Sequence, residues 1–196
     1  MTHTRLGVFG GSFDPIHNGH LAMATLAREH LGLSHVLFVP AGVPPHKRRT
    51  VHAPAEHRLA MLERALDGLG QCSVYRGELD RDGPSYTVDT LAAIADEHPG
   101  AELFFLIGSD NLTEIRTWHR YRDILSAVTL CVAHRPGHAA RRPRELAGAR
   151  VTRCPSPEWG VSSTMVREYI SRGHSCAGLV PPAVRDYIER EGLYRA

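Results

Sequence analysis

The chain has 196 residues, 42% of them hydrophobic and 22% charged, which is enough for one sizeable core and does not require a second domain. A formal net charge of +2 is too mild to make nucleic acid or membrane the expected partner, so basic charge has to be read locally. The four cysteines, Cys72, Cys131, Cys154 and Cys176, form no C-x-x-C pair, which argues against a zinc site or a disulfide framework and for reduced thiols. No apolar run approaches the roughly 20 residues of a membrane helix and no basic-then-apolar leader precedes the first strand pattern, so a soluble, unexported, cytoplasmic protein is expected.

Apolar runs alternate with helical patterns along the chain. Strands are expected at Leu6–Phe9, His35–Val39, Ser73–Tyr75, Leu103–Ile107, Thr129–Ala133 and Arg150–Thr152. Several are almost continuously apolar, as strands covered on both faces tend to be. Helices are expected near Asn18–Leu31, Ala55–Leu66 and Thr87–His98, with short ones after Ser109 and around Arg120–Ser126. This rhythm predicts an α/β fold: a doubly wound, mostly parallel sheet with helices on both faces, whose ligands bind beyond the carboxyl ends of the strands. The whole of 1–196 reads as one domain, with a helical part from about 162 to 196 packed on it.

The first strand stops at Gly10-Gly11, and Ser12-Phe13-Asp14-Pro15-Ile16-His17-Asn18-Gly19-His20 leads into the first helix. Glycines let the backbone come close to an anion, and the N–H groups of a helix start lie at the positive end of its dipole. His17 and His20 share one side of that first turn, so imidazoles and backbone donors converge where a phosphate could sit. The glycines do not fit the dinucleotide fingerprint, and no Gly-Lys-Ser/Thr follows as in a Walker A loop. The two histidines could share a metal ion, with Asp14 the only obvious third ligand nearby, or could be solvated residues without a role.

Gly10 to His20 resembles the signature of the nucleotidylyltransferase superfamily, whose H-x-G-H motif is matched by His17, Gly19 and His20. Within it the chain is most similar to the bacterial nicotinate-nucleotide adenylyltransferases, from the first strand to the last residues. The resemblance implies a Rossmann-like fold, ATP bound at Gly10, Gly11, Ser12, Phe13, His17 and His20, and no protein-bound metal. Magnesium is expected to travel with the nucleotide.

Past the second strand, Pro40-Ala41-Gly42-Val43-Pro44-Pro45-His46-Lys47-Arg48-Arg49 is a proline-stiffened basic loop. Such charge is often merely solvated. The resemblance implies that His46 and Lys47 lie beside substrate phosphates, while Arg48 and Arg49 stay unassigned. Gly83-Pro84-Ser85-Tyr86-Thr87 reads as a turn into a helix, with Ser85 or Thr87 as its cap. It also matches the family's P-S-Y-T turn, and the resemblance makes Ser85, Tyr86 and Thr87 the place where the pyridine carboxylate is held. Free helix-start N–H groups suit a carboxylate.

Gly108-Ser109-Asp110 follows the fourth strand and Thr117-Trp118-His119 comes shortly after it. An acidic side chain at a strand end can accept from ribose hydroxyls. Trp118 is either a stacking face for a pyridine ring or a core residue. Both segments match family motifs, which makes Asp110, Trp118 and His119 substrate-binding candidates. Arg135, in His134-Arg135-Pro136-Gly137, matches a family arginine that reaches substrate phosphate, and the basic stretch from His138 to Arg144 reads as a surface loop without an assigned role.

Val161-Ser162-Ser163-Thr164-Met165-Val166-Arg167 places hydroxyls at a helix start and an arginine one turn in, which by itself is an ordinary cap. It resembles the superfamily's second signature, I-S-[SA]-T-x-[IV]-R, so Ser162, Ser163, Thr164 and Arg167 are expected at the ATP triphosphate. The end, from Pro181-Pro182 through Val184, Tyr187 and Ile188 to Gly192-Leu193-Tyr194, reads as a packing helix and tail.

The activity implied is transfer of AMP from ATP to nicotinate mononucleotide, giving nicotinate adenine dinucleotide and pyrophosphate, with His17 and His20 as the catalytic pair. The competing readings are the same chemistry on nicotinamide mononucleotide and a non-catalytic nucleotide-sensing module. Nucleic-acid binding through Lys47–Arg49 and Arg141–Arg144 is expected to be weak at most. No segment announces an interface, so a homo-oligomer stays open.

Overall fold

The computed structural model describes residues 4–42, 51–133, 146, 148–155 and 160–195. Six strands form one sheet: β1 (Arg5–Gly11), β2 (His35–Pro40), β3 (Cys72–Val74), β4 (Glu102–Gly108), β5 (Thr129–Ala133) and β6 (Val151–Cys154). Their order is β3-β2-β1-β4-β5-β6 and every neighbouring pair is parallel. Chain order reverses between β2-β1 and β4, so the crevice at the carboxyl ends of β1 and β4 is where this α/β topology places a ligand.

The helices are α1 (Asn18–Leu31), α2 (Ala55–Leu66), α3 (Thr87–Glu97), α4 (Ser109–Glu114), α5 (Tyr121–Ala127), α6 (Ser163–Ser171) and α7 (Pro182–Glu191), with a short 3₁₀ turn at Ile115–Thr117. They cover the two faces of the sheet with separate cores. Phe104 and Leu106 of β4 point into one, with Phe9, Phe38, Met61, Leu62, Val166 and Ile188. Leu103, Phe105 and Ile107 point into the other, with Leu6, Val8, Leu91, Ile94 and Ile124. The period-two alternation of Cβ directions along a strand produces this division, and burial on both faces explains the nearly unbroken apolar runs.

Strand β1 runs two residues further than the apolar pattern predicts. Gly10 and Gly11 continue the ladder opposite Val39 and Pro40, and the Ala41 N–H donates to the Gly11 carbonyl at 2.9 Å. The glycines are therefore extended, and their value is space. A Cβ at Gly11 would meet the Phe13 ring at 3.1 Å.

Helix α1 closes on Gly32 in the left-handed conformation, φ 60°, with arginine and histidine in its last turn, as its dipole favours. Helices α6 and α7 bury Val166, Ile170, Val184, Tyr187 and Ile188 in the same core as α1 and α2, and His57 of α2 reaches the Tyr187 hydroxyl at 2.9 Å. All four cysteines are free. Among the described residues no helix is long and apolar enough to cross a membrane.

Candidate active site

After β1 the chain turns sharply at Phe13, φ 46°, and passes a cis Asp14–Pro15 bond before α1 begins. His17 is the N-cap of α1 and is only 3% exposed. Its backbone N–H donates to Nδ1 of His20 at 3.3 Å, and the two rings stack with centroids 3.6 Å apart and planes 19° from parallel. That bond assigns the acceptor role to Nδ1, so in the neutral ring of His20 the proton sits on Nε2, where it can be donated.

Phe13 and Phe9 stand edge-on to His20, at 5.2 and 5.8 Å. The Phe13 ring is buried against Phe9 and Phe38, so what it offers is support beneath His20 rather than a face to a ligand.

The first-turn donors of α1 are partly committed already. The Asn18 N–H donates to the Leu179 carbonyl at 2.9 Å and its side-chain amide to Gly178 at 2.8 Å, while the His20 N–H turns back to the His17 carbonyl at 2.9 Å. Asn18 thus docks the segment before α7 instead of opening toward the crevice.

The second motif meets the first directly. Ser162 caps α6, its hydroxyl accepting from the Met165 N–H at 3.1 Å. The Ser163 hydroxyl donates to the Pro15 carbonyl at 2.9 Å. Arg167 donates to the Asp14 carbonyl at 2.7 Å and to the Thr164 hydroxyl at 3.3 Å. A Cβ on Gly19 would lie 3.7 Å from the Val161 carbonyl oxygen. Two histidines and a hydroxyl-rich helix start, far apart in the chain, therefore share one joint.

A buried polar cluster holds that joint from below. The Asp14 carboxylate, 1% exposed, accepts from the backbone N–H groups of His52 (2.7 Å) and Ala53 (3.0 Å) and from the Tyr194 hydroxyl (2.8 Å). Arg58, 2% exposed, donates to the Ser12 carbonyl at 2.8 Å. Burial lowers the Arg58 guanidinium below its ordinary value, and Asp14, Tyr194 and Glu78 pull it back up. Burial and the Asp14 carboxylate push the Tyr194 phenol up, so it stays protonated and donates.

Beyond β1, β2 and β4 lies a cavity of about 170 Å³ whose walls include Gly10, Gly11, Ser12, Tyr86, Thr87 and Trp118. Trp118 is half-buried, edge-on to Phe105 at 6.0 Å, and so stands between the two readings of the sequence, anchored in the core and open on one side. His119 is exposed and its ring lies 4.3 Å from that of Tyr86. Asp110 is half-buried in the first turn of α4, next to Asn111, which lines the cavity.

The cap of α3 differs from expectation. Tyr86, not Ser85 or Thr87, is the N-cap, and no side chain caps the helix. The Ser85 hydroxyl is instead bonded to the carboxylate of Glu78. The Asp89 N–H closes on the Tyr86 carbonyl at 3.1 Å, and a helix start without a side-chain cap keeps the N–H groups before it for another acceptor.

Of the sequence candidates, His46, Lys47 and Arg135 lie outside the described residues, as do Arg48, Arg49 and the 138–144 stretch. Asp14 as an anchor, Arg58, Glu78 and Tyr194 are site-building residues that sequence reasoning did not single out. Asp14 sits inside the first motif, which was a signal; Arg58, in the middle of an amphipathic helix, gave none. Among the described residues no group of three or more histidine, cysteine or acidic side chains could hold a metal ion.

Residues 8–169 match the model of the cytidylyltransferase-like family. A probable nicotinate-nucleotide adenylyltransferase of Thermomicrobium roseum is 43% identical, over 98% of this chain and 92% of its own. One of Geobacillus thermodenitrificans is 39% identical, over 98% and 87%. Among solved structures, the Plasmodium falciparum nicotinic acid mononucleotide adenylyltransferase complexed with NaAD superposes with a TM-score of 0.78 at 17% identity, covering 98% of both chains, a likeness of fold. With its two motifs joined at the head of a parallel sheet and relatives matched along nearly its whole length, the chain belongs to the cytidylyltransferase-like family, in its nicotinate-nucleotide adenylyltransferase branch.

Proposed function

We propose that this protein transfers AMP from magnesium-bound ATP to nicotinate mononucleotide, giving nicotinate adenine dinucleotide and pyrophosphate in the biosynthesis of NAD. The observation that carries the reading is the junction of His17 and His20 with Ser162–Arg167, made through Ser163 to Pro15 and Arg167 to Asp14. The full-length likeness to nicotinate-nucleotide adenylyltransferases supports the choice of substrate.

The acceptor phosphate is an anion near neutral pH and attacks the α-phosphorus without a general base. What remains for the protein is to hold two polyanions in line and to offset charge building on the bridging and equatorial oxygens. His20, donating from Nε2, and His17 stacked on it supply hydrogen bonds to those oxygens. Ser162, Ser163, Thr164 and Arg167 lie toward the β- and γ-phosphates, beside the backbone of Gly10, Gly11, Ser12 and Phe13. Magnesium enters with the triphosphate, held by phosphate oxygens and water.

The acceptor occupies the cavity beyond the sheet. Trp118, beside His119 and Tyr86, offers a face for the pyridine ring; the start of α3 at Ser85–Thr87 offers N–H donors to its carboxylate, and Asp110 lies toward the ribose. His46, Lys47 and Arg135 are assigned to the acceptor phosphate. Four cysteines without a disulfide support a cytoplasmic setting.

The test is pyrophosphate release from ATP with nicotinate mononucleotide and, in parallel, with nicotinamide mononucleotide, for the wild type and His17→Ala. The acid is expected to be the better substrate in kcat/KM. Loss of the His17 donor should lower kcat by roughly a hundred- to a thousandfold if it acts on an oxyanion-hole scale. Equal rates with acid and amide would overturn the substrate choice, and a near-normal rate for His17→Ala would overturn the site.

A further inference from the structure

Glu78 lies in the connection between β3 and α3, in a turn closed by the Leu79 N–H on the Arg76 carbonyl at 2.7 Å. The residue lines the cavity and is only 9% exposed. It accepts from the Thr90 hydroxyl on α3 at 2.8 Å, from the Ser85 hydroxyl in the turn before α3, and from the backbone N–H of Gly42 just past β2. One buried carboxylate therefore fastens three separate pieces of chain around the cavity mouth.

The packing is tight enough to make that fastening specific. A Cβ on Gly42 would run into the Glu78 carbonyl oxygen and lie 2.9 Å from the Ser85 hydroxyl oxygen. A carboxylate can only accept, so it draws the protons of Ser85 and Thr90 toward itself. The Ser85 hydroxyl is thereby committed, and the turn is left to meet a ligand through its backbone donors.

Resting on the assignment of nicotinate mononucleotide to this cavity, we propose that Glu78 is a positioning residue for the pyridine acid, fixing the Ser85–Thr87 turn opposite Trp118 and His119 without touching the reacting phosphates. Its hydrogen bonds all go to the acceptor side of the cavity, and among the described residues its only link to the ATP side is the electrostatic one to Arg58. The ATP joint is built from other residues, His17, His20 and Ser162–Arg167, held by Asp14 and Arg58.

The experiment compares steady-state kinetics of the wild type, Glu78→Ala and Glu78→Gln, varying each substrate in turn. Glu78→Ala takes the carboxylate from the Ser85 hydroxyl and the Gly42 N–H and leaves the Thr90 hydroxyl only the Tyr86 carbonyl; it should raise KM for nicotinate mononucleotide about tenfold, with KM for ATP within about twofold of wild type. Glu78→Gln keeps the volume and one carbonyl acceptor, and should bring that KM back to within about threefold.

A structural defect alone would lower kcat and the melting temperature without a selective KM effect. An unchanged KM for the mononucleotide, equal rises in both KM values, or no rescue by glutamine would each overturn the proposal. If Glu78→Ala does not fold, Glu78→Asp, whose shorter side chain cannot keep all three donors, carries the test: a rise of about three- to fivefold in the same KM supports it and no rise overturns it. A wild type that releases no pyrophosphate with nicotinate mononucleotide would instead end the substrate assignment, and this inference with it.

Discussion

Gly19→Ala separates what the first helix needs from what its chemistry needs. Gly19 is the second residue of α1, in helical backbone, so its conformation does not demand glycine. Alanine is a better helix former by up to roughly 1 kcal/mol in an interior and by less near a helix start. What stands in the way is the His17 ring. A Cβ at position 19 would lie 3.1 Å from its Nδ1 and 3.2 Å from its Cε1, against an ordinary contact of about 3.5–4.0 Å.

The ring must yield by a few tenths of an ångström, and it is stacked on His20, so both imidazoles move together. If 1 Å of misplacement costs about a hundredfold, half of that costs about tenfold. Pyrophosphate-release kinetics at saturating substrates should show kcat lowered about three- to tenfold, while thermal unfolding shows a melting temperature equal to wild type or slightly higher. A variant with wild-type kcat would refute the reasoning, because it would mean that the stacked pair tolerates displacement. A large drop in melting temperature would refute it too, by turning a site effect into a folding effect.

Tyr194→Phe removes one of three donors to the buried Asp14 carboxylate. A hydrogen bond to a charged group contributes about 2 kcal/mol, so the melting temperature should fall by about 4–8 °C; a fall within about 1 °C would contradict the clamp. The pH dependence of stability should carry the mark of Glu78, whose carboxyl burial holds above the ordinary carboxylate value. The folded protein keeps that proton more tightly than the unfolded chain, so Glu78 contributes most stability below its unfolded value and loses that contribution as pH rises through the folded one. Denaturant titrations should therefore show the stability of Glu78→Gln gaining on wild type from pH 4 toward pH 8, and a difference that stays flat with pH would remove the buried-carboxylate assignment.

The sheet was readable because its strands are buried on both faces: runs such as Leu103–Ile107 need no period to be recognised, only their length and their glycine and polar borders. The extension of β1 through Gly10 and Gly11 was not readable, since glycines mark a strand end in isolation and continue a ladder only when a partner such as Val39 and Pro40 is at hand. His17, His20 and Ser162–Arg167 stood out because each group is compact in sequence. Their anchors did not, because Asp14 is completed by His52, Ala53 and Tyr194, and no local pattern ties a tail tyrosine to an aspartate 180 positions away. The cap of α3 was misread for a related reason: Ser85 has the right chemistry for a cap, and Glu78, packed beside it only in three dimensions, claims its hydroxyl.

The bond from Tyr194 to Asp14 also imposes an order of events on biosynthesis. Chains emerge from the ribosome amino-terminus first, so the histidine-bearing loop is exposed long before its distant latch exists. Nascent protein would carry that loop in an unsecured state until Tyr194 has emerged and seated on Asp14. Replacing Tyr194, or crowding the segment around it, would act as a remote brake on histidines that lie far earlier in chain order.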